Sequence, residues 1–500
     1  MAYSVHHYIN GEPHAGDSSS QIRTIYNPAL GEAVGEVRFA DKNTCDLAVE
    51  TARKAWESWS ETTPVKRARV LFKFRDLLEK HQTELASIVT REHGKTLDDA
   101  RGSVARGIEV VEFHCGIIQQ LQGSFSSDVA THIDCQTIRQ SLGVCAGVSP
   151  FNFPVMVPVW MMIPAIACGN TFILKPSEQD PSAPVRLLEL LSDAGLPPGV
   201  VNCVHGDKTT VDQLLTHPDI KAFTAVASTP VAEYIYKTAT AHGKRAHTFG
   251  GAKNHGVVMP DADMEQAAQT IAGAGYGSAG ERCMALSVVV TVGDDTAERL
   301  LERLIPQINN IRIDAGDVDN CDMGPLVSQA HRQRVLEAIE QGVTEGASLL
   351  IDGRNFQHPR HTQGYYLGPC LFDQVTEAMS IYQNEIFGPV LCIIRTRNFE
   401  QALSLVNRHQ YGNGTAIFTR DGYTAREYSR RVQAGMVGIN IPIPVPVASH
   451  PFGGWKRSSF GDTNMHGPES IHFYTRRKSI TSKWPVSKVS ASAFTMPTHD

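Results

Sequence analysis

Val144-Cys145-Ala146-Gly147-Val148, Thr171-Phe172-Ile173-Leu174, Val200-Val201-Asn202-Cys203-Val204, Ala222-Phe223-Thr224-Ala225-Val226 and Arg245-Ala246-His247-Thr248-Phe249 are five short runs between residues 144 and 251. They are mostly apolar and β-branched, and each has the length of a buried strand. Helical patterns lie between them, as in Ala183–Ala194 and Thr210–Thr216. Strand alternating with helix is the βαβ pattern of a parallel sheet. The right-handed crossover rule closes such units into a doubly wound sheet, so the expected class is α/β. The apolar run Val155–Cys168 belongs to this region. It is only about 14 residues long and holds Pro158 and Pro164, which suits a buried helix and not a membrane span.

Upstream, residues 42–122 read as helical, with Leu71, Phe74, Leu77 and Leu78, then Leu85 and Ile88, at helical spacing. Asp128–Val144 alternates through Thr131, Ile133, Thr137 and Ile138 and reads as extended strands. Downstream, the α/β pattern restarts with His255–Met259, a helix from about Met264, and Ser287–Val292. This predicts a second α/β domain over 254–459 beside a first made of 1–122 and 145–253. Ile471-His472-Phe473-Tyr474-Thr475 alternates again. It is expected to be a strand that pairs with the 123–144 arm or with another subunit, within a segment 460–485. The Ser- and Thr-rich residues 486–500 are expected to be a loose tail.

A chain of 500 residues is too long for one core, so two or three domains are expected. The 42% apolar and 20% charged composition is that of a globular protein, and a net charge of −6 argues against general nucleic-acid or anionic-membrane binding. The ten cysteines form no C-x-x-C pair, so neither a zinc site nor a redox dithiol is expected. Scattered thiols suit a reducing compartment, and Met1–His7 lacks the pattern of a signal peptide, so the expected location is cytoplasmic.

Cys283 stands in Gly280-Glu281-Arg282-Cys283-Met284-Ala285 after Gly273, Gly275 and Gly277. A neighbouring cation favours the thiolate, the attacking form, although a lone buried cysteine is more often a small core hydrophobe. Gly275-Tyr276-Gly277-Ser278-Ala279-Gly280 fits G-x-G-x-x-G but follows a helical pattern rather than a strand, so it fails as a dinucleotide fingerprint. Lys175 and Glu178 fall just past a strand end, where open α/β sheets bind ligands. Ser228-Thr229-Pro230 opens a helix and reads either as a phosphate site or as a plain cap.

Pro150-Phe151-Asn152-Phe153-Pro154, Leu174-Lys175-Pro176-Ser177-Glu178 and Asn384-Glu385-Ile386-Phe387-Gly388-Pro389, in this order with the Cys283 run, resemble the aldehyde dehydrogenase superfamily from about Ile9 to Pro485. The resemblance implies two doubly wound α/β domains, one binding NAD and one catalytic, with a small β oligomerisation arm built from the 123–144 and 460–485 strands. It implies a homotetramer or homodimer acting on a small-molecule substrate. Cys283 matches the nucleophile, and Asn152 with the Cys283 N–H matches the oxyanion hole. Lys175 and Glu178 match the ribose ligands at the adenosine end, and Glu385 and Phe387 the groups beside the nicotinamide ribose and ring. Phe151, Ser228 and Gly250 complete the cofactor set. Where the family usually has Gly-Ser-Thr, this chain has Ala227-Ser228-Thr229, and the extra methyl crowds the expected pyrophosphate position.

Hydrolytic members carry Glu-Leu-Gly-Gly-Lys, whose glutamate activates the deacylating water. Here the segment is Thr248-Phe249-Gly250-Gly251-Ala252-Lys253, with Thr248 expected in the glutamate's place. Threonine is no general base near neutral pH. The acyl-enzyme then needs a better nucleophile than water, which points to coenzyme A. Gly251-Ala252-Lys253-Asn254-His255, Arg106-Gly107-Ile108-Glu109 and Pro451-Phe452-Gly453-Gly454-Trp455-Lys456 resemble the CoA-acylating methylmalonate-semialdehyde dehydrogenase branch. That resemblance implies oxidation and decarboxylation of methylmalonate or malonate semialdehyde to propanoyl-CoA or acetyl-CoA through a Cys283 thioester, in valine and inositol breakdown. Arg106 and Arg282 match the arginines that hold the substrate carboxylate. The rival readings are a hydrolytic aldehyde dehydrogenase and a non-catalytic binding protein on the same fold.

Overall fold

The computed structural model describes residues 3–484. Helices fill residues 42–120 apart from short connections. The last long one, α1 (Leu97–Cys115), is capped by Thr96, whose hydroxyl accepts from the Asp99 N–H, and has Asp98 and Asp99 in its first turn. Both features complement the free N–H groups of a helix start.

The five expected strands form one parallel sheet: β1 (Val144–Val148), β2 (Thr171–Lys175), β3 (Val201–Cys203), β4 (Ile220–Val226) and β5 (Arg245–Phe249). β2 runs one residue further than its apolar run and ends on Lys175. The spatial order is β5-β4-β1-β2-β3, extended by antiparallel Ser459–Phe460 beyond β5 and by His7–Ile9 and Glu12–His14 beyond β3. β1 and β2 are buried at every residue, which is why their sequences run apolar instead of alternating. The chain goes outward from β1 to β3 on one side, then returns to β4 on the other. The switch point therefore lies between β1 and β4, and the crevice opens at their carboxyl ends.

The apolar run after β1 is α2 (Met156–Ala167), buried throughout and packed on α1. No helix among the described residues is long and apolar enough to cross a membrane.

A second parallel sheet contains β6 (Asn254–Val258), β7 (Leu286–Val292), β8 (Cys370–Asp373), β9 (Val390–Thr396), β10 (Gly414–Phe418) and β11 (Met436–Ile439). Its order is β8-β9-β7-β6-β10-β11, with Ser348–Ile351 antiparallel at the β8 edge. A third, three-stranded antiparallel sheet joins Ser124–Ala130, Ile133–Ser141 and Thr475–Lys483. The tail strand thus pairs with the arm, but it begins later than its alternation suggests. Ile471–Phe473 belong to a short helix, Pro468–Phe473. Gly467-Pro468 is a helix-start signal, and Ile471 and Phe473 are both buried from that turn. The tail 486–500 lies outside the described residues.

Candidate active site

The two large sheets meet in opposite senses. Carboxyl ends of the first sheet supply Phe151 and Asn152 after β1, Lys175 and Glu178 at β2, Ser228 after β4 and Gly250 after β5. Amino ends of the second supply Cys283 before β7 and Glu385 with Phe387 before β9. These nine candidates line one crevice of about 820 Å³. Arg106 and Arg282 do not line it.

On the first sheet's side, Lys175 Nζ donates to Glu178 Oε2 at 3.1 Å. Burial would raise the Glu178 carboxyl, but Lys175, a backbone N–H and Arg23 together outweigh it and hold the group below its ordinary value. Ser228 caps α3 (Thr229–Ala241) without a side-chain hydrogen bond, so its exposed hydroxyl and the first N–H groups of the helix face the crevice. Thr229 Oγ1 accepts from the Gly251 N–H at 2.8 Å and ties this corner to the glycine pair. A Cβ on Gly251 would lie 2.4 Å from Glu385 Oε2, so that carboxylate fits only against glycine.

The second sheet's side is held by strained loops. α4 (Met264–Tyr276) ends in a turn where Ser278 and Ala279 have φ of 54° and 51°, followed by Gly280 at 75°. Two successive non-glycine residues in the left-handed region cost of order 1–3 kcal/mol each. A Cβ on Gly280 would meet the Gly388 carbonyl oxygen at 2.1 Å, so the Cys283 loop and the Phe387 loop pass in close contact. Phe387 is itself left-handed, and its ring meets Phe151 edge-on at 5.8 Å between centroids. The Cys283 carbonyl accepts from Asn254 Nδ2 at 2.9 Å and from Asn413 Nδ2 at 3.1 Å. Asn152 Nδ2 donates to the Glu281 carbonyl at 3.1 Å, which orients the amide and occupies one of its two N–H groups. Burial, then Glu385, pushes the Cys283 thiol up to about 12 against the pull of backbone N–H groups and Lys95. Burial also raises Glu385 to about 7, while its Oε1 accepts from the Ala252 N–H at 2.8 Å.

Three placements differ from the sequence reading. Thr248 does not face the crevice. Its hydroxyl donates to the Ala232 carbonyl of α3 at 2.8 Å, because it sits on the α3 side of β5. Arg282 does not line the crevice; it packs over Gly277 and pairs with Asp99 at 2.6 Å. Arg106 pairs with Glu109 at 2.7 Å and donates to the Val445 and Pro446 carbonyls, so it pins the 445–446 loop over α1. Glu281, two residues before Cys283, is fully buried. Its Oε1 accepts from the Val327 N–H, and burial raises its carboxyl well above the ordinary range.

The sequence reading missed Asn254 and Asn413 as supports of Cys283, and Lys95 and Asp99 beneath Arg282. Asn254 stood in a quoted segment, but nothing local says that an amide at the start of β6 reaches Cys283. Elsewhere, a cavity of about 880 Å³ beside residues 21–26 and 356–366 holds none of the candidates. Asp314, His358 and His361 also cluster, but His358 Nδ1 accepts from the Arg360 and His361 N–H groups. Its Nε2 therefore carries the proton and donates to Asp314, which also receives Arg360, so the cluster is a hydrogen-bonded turn.

A crevice between two α/β units, with a thiol at one wall and a positioned amide donor opposite, is the site of an aldehyde-oxidising enzyme. The chain belongs to the aldehyde dehydrogenase family, whose match spans residues 15–480. It is 52% identical to the malonate-semialdehyde dehydrogenase of Pseudomonas aeruginosa over 495 residues, 99% of each chain. The malonate-semialdehyde dehydrogenase 1 of Geobacillus thermodenitrificans is 46% identical, over 95% of this chain and 98% of that one. Among solved structures, a putative methylmalonate-semialdehyde dehydrogenase from Sinorhizobium meliloti, complexed with NAD, superposes with a TM-score of 0.96 at 53% identity, over 97% of this chain and 99% of that one. The methylmalonate-semialdehyde dehydrogenase of Oceanimonas doudoroffii does so at 0.96 and 47%, with the same coverage.

Proposed function

We propose that this aldehyde dehydrogenase oxidises malonate or methylmalonate semialdehyde with NAD and hands the acyl group to coenzyme A, with loss of carbon dioxide. The names of its relatives support the substrate class. The observation that carries the acceptor is that neither Thr248 nor Glu281 offers a free base to a thioester on Cys283. Thr248 faces α3, and Glu281 is buried and bound to Val327. Glu385 favours the hydrolytic alternative, since a carboxyl near 7 can take a proton, but Ala252 occupies one of its oxygens.

The crevice fits a dinucleotide. The uncapped Ser228 corner suits a pyrophosphate, Lys175 and Glu178 suit one ribose and Glu385 the other, and the glycine pair leaves room for close approach. Bound there, NAD supplies the hydride acceptor. The Cys283 thiolate attacks the aldehyde carbon, and Asn152 with the Cys283 N–H holds the oxyanion. The acyl group is then carried as a Cys283 thioester. With a carboxylate β to that carbonyl, carbon dioxide leaves as the electrons pass to an enolate at the same oxyanion donors, and the enolate takes a proton. The thiol of coenzyme A attacks the thioester and frees Cys283. Arg282 and Arg106 would receive the substrate carboxylate by exchanging present partners.

The test is rapid mixing of the protein with malonate semialdehyde and NAD, with and without coenzyme A, following NADH at about 340 nm. A burst of about one NADH per site that turns into steady turnover only with coenzyme A is the expected result. Equal turnover without it would make water the acceptor.

A further inference from the structure

We propose that the cavity of about 880 Å³ beside the crevice is a second nucleotide site, which takes the phosphate of its ligand on Arg332 and Arg23. The volume is that of a small-molecule site. α5 (Gln329–Thr344) divides the two spaces. On its first turns His331 and Arg334 line the crevice, whereas Gln329 and Arg332, one residue position round the helix, line the cavity. The partition ends at Gln179, which follows Glu178 and lines both spaces. Val327 is also part of the cavity wall, and its N–H donates to Glu281 at 3.1 Å, so the cavity backs onto the nucleophile loop.

The lining sets the charge of the ligand. The crevice presents the carboxyl groups of Glu178, Asp207 and Glu385, whereas among the described residues no aspartate or glutamate lines the cavity. Asp314, behind His358, is already taken by His358 at 3.1 Å and by Arg360 at 2.7 Å. Arg332 Nε donates to the Tyr366 carbonyl at 2.7 Å, which fixes the guanidinium, and its two Nη groups have no hydrogen-bond partner among the described residues. Arg23 Nη1 stands 3.8 Å from Glu178 Oε1, beyond hydrogen-bond distance, while Lys175 serves the other oxygen at 3.1 Å. A planar guanidinium with no carboxylate bound to it is the group that best holds a phosphate. Rings stand in the same space. His361 stacks on His358 at 4.8 Å between centroids, and His358 on Tyr366 at 4.6 Å, with interplanar angles of 17° and 21°. All three line the cavity, so ring surface for a base accompanies the cations. A phosphate and a base together describe a nucleotide. Two sources share that chemistry: a free nucleotide, and the nucleotide end of coenzyme A, whose thiol arm would pass Gln179 into the crevice. Only the second source rests on the proposed acceptor.

The experiment is calorimetric titration of the full protein, saturated with NAD so that the crevice is filled, with coenzyme A in one arm and ADP in the other. Both arms are repeated on Arg332→Gln and on Gln329→Glu. The second variant puts a carboxylate into the cavity from an exposed position at a helix start, where an acidic residue is tolerated, so it decides the matter should Arg332→Gln not fold. Binding beside NAD is expected in the wild type, weakened about tenfold in either variant with NAD affinity unchanged. Coenzyme A binding much more tightly than ADP makes the acceptor the source, and ADP binding as tightly makes it a free nucleotide; either result supports the site. No binding in either arm, binding that only displaces NAD, or binding that Gln329→Glu leaves unchanged overturns it. The two failures are separable. Steady NADH production without coenzyme A overturns the proposed acceptor and leaves the ADP arm standing, whereas coenzyme A-dependent turnover beside titrations that Gln329→Glu leaves unchanged overturns the site alone.

Discussion

The two walls of the crevice are built by opposite ends of two parallel sheets, and they differ in how their residues are held. On the first wall, Lys175, Ser228 and Gly250 are placed by strand ends flanking a topological switch point, and their contacts are local, such as Lys175 with Glu178. On the second, Cys283 is placed by left-handed turns and by amides from distant segments, Asn254 and Asn413. On the proposed function the first wall is the binding surface, one that sheet topology makes almost automatically. The second is a strained construction around one atom, so substitutions there should affect chemistry more than affinity.

The sharpest way to break that contrast is to remove the reacting groups. Cys283→Ala is expected to abolish acylation and NADH formation, a loss on the order of 10⁴-fold or more, with NAD affinity retained. Asn152→Ala should lower kcat by roughly 10²–10³, the cost of one oxyanion donor. Single-turnover NADH formation and calorimetric NAD binding separate the two effects. Full activity in Cys283→Ala would remove the distinction between the walls, and an Asn152→Ala whose loss lies wholly in NAD affinity would take Asn152 out of the oxyanion hole and leave the first wall a binding surface throughout.

A smaller effect tests the glycines of the second wall. A Cβ on Gly277 would lie 2.5 Å from the Arg282 guanidinium, whereas one on Gly273 meets nothing within 4 Å. Gly277→Ala should displace Arg282 from Asp99 and raise KM for a β-carboxy aldehyde about tenfold, with little change for an aldehyde lacking the carboxylate. Gly273→Ala, inside α4, should stabilise the fold by about 0.5–1 kcal/mol without touching KM. The pair shows that neighbouring glycines serve two purposes. Equal KM values for the two variants would take Arg282 out of substrate binding.

The same contrast explains what the sequence made legible. The five strands of the first sheet could be read because strand and turn lie close together in the chain, as in Leu174-Lys175-Pro176-Ser177-Glu178, whereas Asn152, Cys283, Glu385 and Phe387 could be read as site residues only through the family resemblance. Thr248 was misplaced because strand periodicity decides its face, and β5 turns that hydroxyl to α3. Arg282 stands next to Cys283 in sequence, yet its partner lies 183 residues away at Asp99. Lys95 carries no local signal, since a lysine beside a helix start reads as a surface charge until the fold buries it. Ile471–Phe473 alternate like a strand because two buried residues spaced by two also fit one helical turn.

The smallest expected effect sharpens the comparison at Glu385, a residue that touches both walls. Glu385 reaches from the second wall to the Ala252 N–H and the Gly251 backbone, and burial raises its carboxyl to about 7. A ribose hydroxyl donates best to the ionised form, so NAD affinity should fall below pH 7, approaching tenfold per pH unit, and should become nearly flat with pH in Glu385→Gln. Stability should run the other way. A carboxyl raised in the folded state favours folding below its unfolded value, and that contribution is lost as pH rises towards about 7. The ligand-free protein should therefore melt at a lower temperature as pH rises through this window, and Glu385→Gln should remove that slope. Opposite slopes for melting and for NAD binding in the wild type, both abolished by one substitution, would show that the carboxylate destabilises the empty crevice in the form that holds the cofactor. Parallel slopes would mean that Glu385 is a structural tie of the second wall and nothing more.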